Sequence, residues 1–591
     1  MRRALFALLM LIPAVATAAP TGADYTGDAD AFFCVRDGKF YISESLYLSQ
    51  CDLTTDALAT DGSIKYIDSV GGSDSNAGTF AAPWQTLAKC GGLADGTDCY
   101  LKDGSVFADQ RLDITWSGSA ENPVVVGCYV DDSGTPRESA ECEWSMDGKL
   151  SSACIAAGNC NMNDDSLGNF NTGLIDISGN YVTVQDGIVE YHVGRGLSGK
   201  GTGATQGDHV TVLRMLIRYT GAQATVFGND MTNFVLRDTV AHDIGWCYAG
   251  GYTVANTNCD PNKAGWGGGF VLQTSIECNC LTEGNLIYRH YGEGYNVGRV
   301  TRAVWRGNVQ ANGRRAAYYI DYGNYILMEN NISTGNPANG NQFPNGYTGG
   351  GDAGFAIALE DAFAPTAYGQ NAAGTSNLVR NHIVIGQEVC MRTGVEAGVW
   401  STYGLQLGVD IVGMTCLGAH VTPININAGG GQSGGIGQIT IANSIIYAPT
   451  ATASTNTTLP CRTVNAGATT FLNNLWDRDP TAGCSGATAA NGNIVGDPLL
   501  SLSNTAAQAA DYTTVPSVAL LKPGVGSPAR GVGTNYARTE VAWLAPSQWS
   551  IDTELTSFPG SDCGSQWYSQ KQPVDFNCKP WSFFLGAVKP D

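Results

Sequence analysis

The sequence predicts an all-β chain wound into one long solenoid, with Gly/Asn-rich loops inserted between coils. Three observations predict it: a short recurring unit, strand-like segments within that unit, and a composition rich in glycine but poor in charge. Past residue 180 the chain repeats an alternating apolar segment closed by a small or amide residue, one further residue, and then Val, Ile or Leu. The closing triplets read Asp186-Gly-Ile188, Asp238-Thr-Val240, Gly284-Asn-Leu286, Gly307-Asn-Val309, Asn330-Asn-Ile332, Asn381-His-Ile383, Asn443-Ser-Ile445 and Asn473-Asn-Leu475. Anchors 238, 284, 307 and 330 lie 46, 23 and 23 residues apart, so the unit is 23 residues or a multiple of it. A unit that short cannot bury its own apolar face, and neighbours must stack to share one core.

The segments Tyr181-Val-Thr-Val184, His209-Val-Thr-Val212, Asn233-Phe-Val-Leu236 and Asn324-Tyr-Ile-Leu327 alternate and favour β-branched or aromatic residues, as strands do. Asn or Asp at each corner tolerates a left-handed backbone, and amides in register can hydrogen-bond along the stack. The 76 glycines among 591 residues serve the same corners and the inserts. Length alone would suggest about four domains, but a repeat makes one long unit of it. Charged residues are 14% against 43% hydrophobic, too apolar for a disordered chain. The net charge of −21, from 32 Lys and Arg against 53 Asp and Glu, argues against duplex nucleic acid as a partner.

Arg2-Arg3, the apolar run Ala4–Val15 and the small residues Ala16-Thr17-Ala18 have the layout of a secretory signal cleaved before Ala19. Secretion, or export to a periplasm, follows from that reading. No other run is apolar over the roughly 18 residues a membrane span requires. The 18 cysteines agree with export. Many fall in close pairs: Cys34/Cys51, Cys90/Cys99, Cys128/Cys142, Cys154/Cys160, Cys247/Cys259, Cys461/Cys484 and Cys563/Cys578. In an oxidising compartment such spacing reads as disulfide staples across loops. Cys278-Asn-Cys280 is the tight pair, and no second Cys or His cluster completes four zinc ligands beside it.

The coils resemble the right-handed parallel β-helix proteins of the pectate-lyase-like superfamily. Tyr66-Ile-Asp-Ser-Val-Gly-Gly-Ser-Asp-Ser-Asn-Ala-Gly-Thr79, followed by Pro83-Trp-Gln-Thr-Leu87, resembles the opening signature of its secreted members. Leu101-Lys-Asp-Gly-Ser-Val-Phe107 with Ser117-Gly-Ser-Ala-Glu-Asn-Pro-Val124 resembles their first coils. Pro523-Gly-Val-Gly-Ser-Pro-Ala-Arg-Gly-Val-Gly533 and Phe584-Leu-Gly-Ala587 resemble their closing segment. The resemblance covers residues 63–590 and implies a fold and export, without naming a reaction. It divides the chain into a signal (1–18), a Cys-containing cap (19–62), the β-helix (63–500) and an irregular closing region (501–591). Trp246–Gly269 and Gly335–Gly354 read as loops on the wall. The Gly-His-Gly and Asn-Thr-Asp motifs of polygalacturonases, the Trp-Ile-Asp-His of pectate lyases and the Asp-Pro-His of alginate epimerases are absent, so no site residue carries over by motif.

Enzymes of that superfamily hold substrate in a groove along one parallel sheet and its flanking turns. Turn positions with titratable side chains are therefore the candidates. Counted from the corner anchors, they are His242 with Asp243, then Arg289, His290, Tyr291 and Glu293, then Arg314 and Arg315. A period of 23 sets Arg314 over Tyr291 and Tyr318 over Tyr295, with Tyr319 and Asp321 alongside; adjacent coils are about 4.8 Å apart. Six of the 21 arginines (Arg289, Arg299, Arg302, Arg306, Arg314, Arg315) fall within residues 289–315, a basic band in an acidic chain, though Arg302 and Arg306 read as outer wall positions. Guanidinium forks bind carboxylate or sulfate at two points.

The first expectation is therefore a lyase that cleaves an anionic, uronate-containing polysaccharide by β-elimination. Arg314, Arg315 or Arg289 would neutralise the uronate, His290 would be the base, and Tyr319 or Tyr291 the acid. His242-Asp243 is a second candidate dyad, and Glu293 and Tyr318 join the substrate contacts. The alternative is a glycoside hydrolase using carboxylates such as Asp321 and Glu360-Asp361, residues that also suit Ca2+. A third expectation is a non-catalytic, glycan-binding solenoid. In each case the chain is expected to be monomeric.

Overall fold

The computed structural model describes residues 32–34, 39–41, 63–129, 142–145, 173–192, 194–199, 207–228, 231–245, 268–273, 277–335, 353–359, 377–395, 407–427, 436–449, 459–464, 469–503 and a few positions between 506 and 529. The expected signal, most of both wall inserts, and residues 530–591 lie outside them.

Three long parallel sheets, of 13, 13 and 11 strands, run along the described molecule. Each coil gives one strand to each sheet in turn. The first sheet runs from Ser63–Ile67 to Thr469–Leu472, the second from Val106–Ala108 to Ile494–Val495, and the third from Leu112–Ile114 to Cys461–Val464. This is the right-handed parallel β-helix that the sequence predicts. Among the described residues no helix is long and apolar enough to cross a membrane. Inward side chains of neighbouring coils pile into one continuous core, with Ile287, Tyr295, Trp305, Tyr318 and Ile320 all 1% exposed or less.

The first corner, between the first and second sheets, uses two consecutive residues where the sequence suggested one. The anchors Asp186, Asp238, Gly284, Gly307, Asn330, Asn381, Asn443 and Asn473 take the left-handed backbone, with φ between 50° and 67°. From Asp238 to Asn330 the residue after the anchor turns inward and carries a polar ladder, Thr239, Asn285, Asn308 and Asn331. Asn285 Nδ2 donates to Asn308 Oδ1 at 3.0 Å, and Asn308 Nδ2 to Asn331 Oδ1 at 3.2 Å. Their second amide hydrogens go to the carbonyls of Leu236 and Thr282, at 3.0 and 2.8 Å. The ladder lapses at His382 and Met414 and resumes at Ser444, Asn474 and Asn493. His382 is fully buried, edge-on to Tyr318 and Phe355, and burial pushes its imidazole down to about 3.

Two outer walls are closed by side chains. On the first sheet, Arg237, Glu283, Arg306, Glu329 and Arg380 stand in register on successive coils, alternating in sign. Arg306 Nε lies 2.6 Å from Glu329 Oε1, and Arg380 pairs with the other oxygen. Burial alone would raise the Glu329 carboxyl, but the two guanidinium groups outweigh it and hold it down to about 2. Arg306 is thus a wall residue, as expected. On the second sheet, Leu286, Val309, Ile332 and Ile383 form an apolar strip against Leu502, Ala507 and Leu521 of the closing region.

Cys90–Cys99, Cys128–Cys142 and Cys461–Cys484 are bonded as their spacing predicts. Cys278 is paired with Cys280, and Cys390 with Cys416 on the next coil. The other expected pairs lie wholly or partly outside the described residues.

Candidate functional site

Strand alternation gives the third sheet an apolar inner face and a polar outer one. In the strands Tyr295–Gly298, Tyr318–Asp321, Ala353–Leu359 and Val389–Val395, the residues Tyr295, Tyr318, Phe355 and Met391 point into the core. Their neighbours form an outer row: Asn296, Tyr319, Ala356, Arg392, Asn425 and Arg462 are in register on six successive coils. Asn296, Tyr319, Arg392 and Asn425 are half-buried, and Arg462 is exposed. At about 4.8 Å per coil the row is about 24 Å long, enough for several sugar units. Tyr319 rests on the small side chains of Ala316, Ala353, Ala356 and Val389. Asp321 lies two residues further along the same face, level with Gly298 and Ala358.

The turn into Tyr318–Asp321 adds Arg314 and Arg315, both half-buried. The Arg314 guanidinium sits 4.3 Å from the centre of the Tyr291 ring, the stacking that the 23-residue period predicts. Tyr291 and Glu293 lie on the turn below and are 2% and 7% exposed. Guanidinium groups therefore border this face at its edge and along its row. They suit carboxylates, while a half-buried phenol can stack on a sugar or pass a proton.

Other predicted residues lie elsewhere. Tyr318, expected to touch substrate, is a core residue. It stacks on Tyr295 at 4.7 Å and donates its hydroxyl to the Asn308 carbonyl at 2.7 Å, and burial pushes both phenols well above their ordinary range. His290, expected as the base, also points inward and is fully buried. Its Nδ1 donates to the Gly292 carbonyl at 2.8 Å, and its Nε2 lies 2.9 Å from the side-chain amide of Gln310. Burial pushes this imidazole down to about 4, and in this structure it hydrogen-bonds within the core. Above it stands Gly313, where a Cβ would lie 2.0 Å from the imidazole Cε1; only glycine passes that ring.

His242 and Asp243 do form a dyad, with Nδ1 donating to Oδ2 at 2.6 Å, but on the second sheet and sealed from outside. His242 stacks on Tyr288 at 4.8 Å, and Arg289 pairs with the same carboxylate oxygen. Burial alone would raise Asp243, yet Arg289 and His242 hold its carboxyl below the usual range. Both this dyad and Arg289 consequently serve the second corner.

Of the carboxylates expected to hold Ca2+, Glu360 and Asp361 lie outside the described residues. Asp321 is level with Gly298 and Ala358, which bring no side-chain oxygen. Among the described residues no group of three or more His, Cys, Asp or Glu side chains converges. The sequence reading passed over Asn296, Arg392, Asn425 and Arg462. Their alternation within each strand was a signal, but unequal inserts hid which coil positions align.

No family model matches the chain. Over 89 residues it is 37% identical to a lacto-N-biosidase of Bifidobacterium longum subsp. longum, a stretch covering 14% of this chain and 6% of that protein. Among solved structures, it is similar to pectate lyase Pel9A with a TM-score of 0.40 and 14% identity, over 89% of this chain and 96% of that one. A mannuronic acid specific polysaccharide family 6 lyase from human gut microbiota gives 0.41 and 13%, over 69% and 87%. A GH136 lacto-N-biosidase from Eubacterium ramulus gives 0.38 and 11%, over 69% and 66%.

Proposed function

We propose that the chain is a secreted polysaccharide-degrading enzyme that holds an acidic glycan along the outer face of the third sheet and cleaves it by β-elimination. The observation that carries this reading is the outer row, in which Tyr319 shares one face with Arg392 and Arg462 and lies beside the Arg314-Arg315 turn. A uronate carboxylate on a guanidinium fork loses much of its negative charge, which acidifies the proton on C5. Tyr319, as phenolate, takes that proton; the C5–H and C4–O bonds break, a C4=C5 double bond forms, and the leaving oxygen receives a proton from the phenol. His290 has no part in this scheme.

Hydrolysis is the second reading, favoured by the 37% identity with a lacto-N-biosidase over 89 residues and by Asp321 on the same face. It needs a second carboxylate across the scissile bond. Of the others on this row, Asp113 and Asp176 share Arg111, and Asp176 also accepts from Ser198. Incubation with polygalacturonate, alginate and hyaluronan, followed by ultraviolet absorbance, separates the two readings. Rising absorbance from an unsaturated uronate is expected; new reducing ends without it would transfer the assignment to hydrolysis.

A further inference from the structure

The third corner, where each coil passes from the third sheet to the next strand of the first, has a composition that its backbone does not favour. Tyr181, His209, Asn233, Asn279, Arg302 and Tyr325 occupy equivalent positions on six successive coils. All six are left-handed, with φ between 49° and 62°, a conformation in which a Cβ crowds the following carbonyl and which glycine, then Asn, accepts best. At the first corner this chain often meets the same demand with Gly, Asn or Asp. At the second corner Tyr191, Tyr219 and Arg289 also take it; Tyr219 and Arg289 are buried, at 5% and 7% exposure, and the half-buried Tyr191 stacks on Tyr219 at 4.9 Å, so each gains packing in return. All six third-corner side chains are half-buried and reach solvent. Two tyrosines, a histidine and an arginine are therefore held in an unfavourable backbone without full burial to offset it. Strain retained at exposed positions concentrates where ligands bind.

The side chains are also ordered. Tyr181 and His209 stack face to face at 4.4 Å. Asp208 orients the next pair: His209 Nδ1 lies 2.9 Å from its Oδ2, and Asn233 Nδ2 donates to its Oδ1 at 2.8 Å. We propose that this column is a second glycan-binding strip, separate from the third-sheet face, which grips an extended polysaccharide strand through aromatic stacking at Tyr181 and Tyr325, amide hydrogen bonds at Asn233 and Asn279, and Arg302 for a carboxylate. One coil rises by about the length of one sugar unit, so a strand laid along the corner meets a new side chain at each residue. The strip takes from the proposed function only that the ligand is a glycan.

Glycine is the informative substitution, because it removes the side chain and suits the backbone. The full chain and a Tyr181→Gly/Arg302→Gly/Tyr325→Gly variant are run through native gels cast with alginate, polygalacturonate or xyloglucan, and both are assayed on short soluble oligosaccharides. Retardation in at least one gel is expected to weaken at least ten-fold in the variant, with its melting temperature equal to or above the wild type's and its turnover of short oligosaccharides unchanged. Retardation equal to the wild type's in a folded variant overturns the strip, as does a wild type that none of the gels retards. If the variant loses retardation but neither protein cleaves any glycan, the strip stands and the enzymatic reading falls.

Discussion

The outer walls of the second and third sheets come from the same coils and the same alternation, yet they are finished differently. On the second sheet Leu286, Val309, Ile332 and Ile383 are covered by Leu502, Ala507 and Leu521. On the third, Asn296, Tyr319, Arg392 and Asn425 remain half-buried and polar. A solenoid must bury one face of every strand, but it can leave the other face of one sheet open. In the function proposed above the open sheet carries the chemistry, while the padded one serves stability.

The largest effect expected from breaking this contrast is a charge placed under the padding. Ile332→Asp buries an unpaired carboxylate and should cost at least about 4 kcal/mol, whereas Asn425→Asp on the open wall should change stability by less than about 0.5 kcal/mol. Denaturant unfolding of both variants checks this, and equal losses would erase the distinction between the walls. Next, Arg392→Ala should lower kcat/KM on an acidic polysaccharide about 10²-fold with no change in melting temperature. Unaltered kinetics would remove Arg392 from the site.

A smaller effect lies in the acid range. His290 and His382 are held neutral at about 4 and about 3, below the ordinary 6.5. Above that value neither state binds the proton and stability is flat. As pH falls from about 6.5 towards 4, the unfolded chain takes up protons that the folded one refuses, and stability drops, by about 3 kcal/mol for His290. His382 extends the loss to about pH 3. His290→Gln with His382→Asn should flatten that fall while leaving any pH–rate profile unmoved. An unchanged acid slope, or a lost kinetic limb near pH 6.5, would contradict the interior roles assigned to both rings.

Spacing carried much of this architecture. The 23-residue period alone predicts Arg314 over Tyr291 and Tyr295 under Tyr318, because a solenoid converts sequence distance into stacking. It did not show which way a turn residue faces. Asp243 and Arg289 take left-handed backbones at the second corner, which redirects the chain and sends His290 inward, and no residue-type rule signals that reversal. Histidine chemistry then pointed to a base where the fold has placed a core hydrogen bond to Gly292. The outer row was hidden for another reason. Asn330 and Asn381 are 51 residues apart, so the count that aligned earlier coils could not set Arg392 in line with Tyr319.

The central claim is that alternation on the third sheet divides adjacent residues between core and substrate, and Tyr318 and Tyr319 test it most directly. Tyr318→Phe and Tyr319→Phe each remove one hydroxyl. Melting temperature and the rate of unsaturated-uronate formation, measured for both, should separate cleanly. Tyr318→Phe is expected to lose about 1 kcal/mol of stability and keep its rate, while Tyr319→Phe keeps its melting temperature and loses at least about 10²-fold in rate. A Tyr319→Phe variant with full activity, or a Tyr318→Phe variant that folds normally but is inactive, would contradict the account.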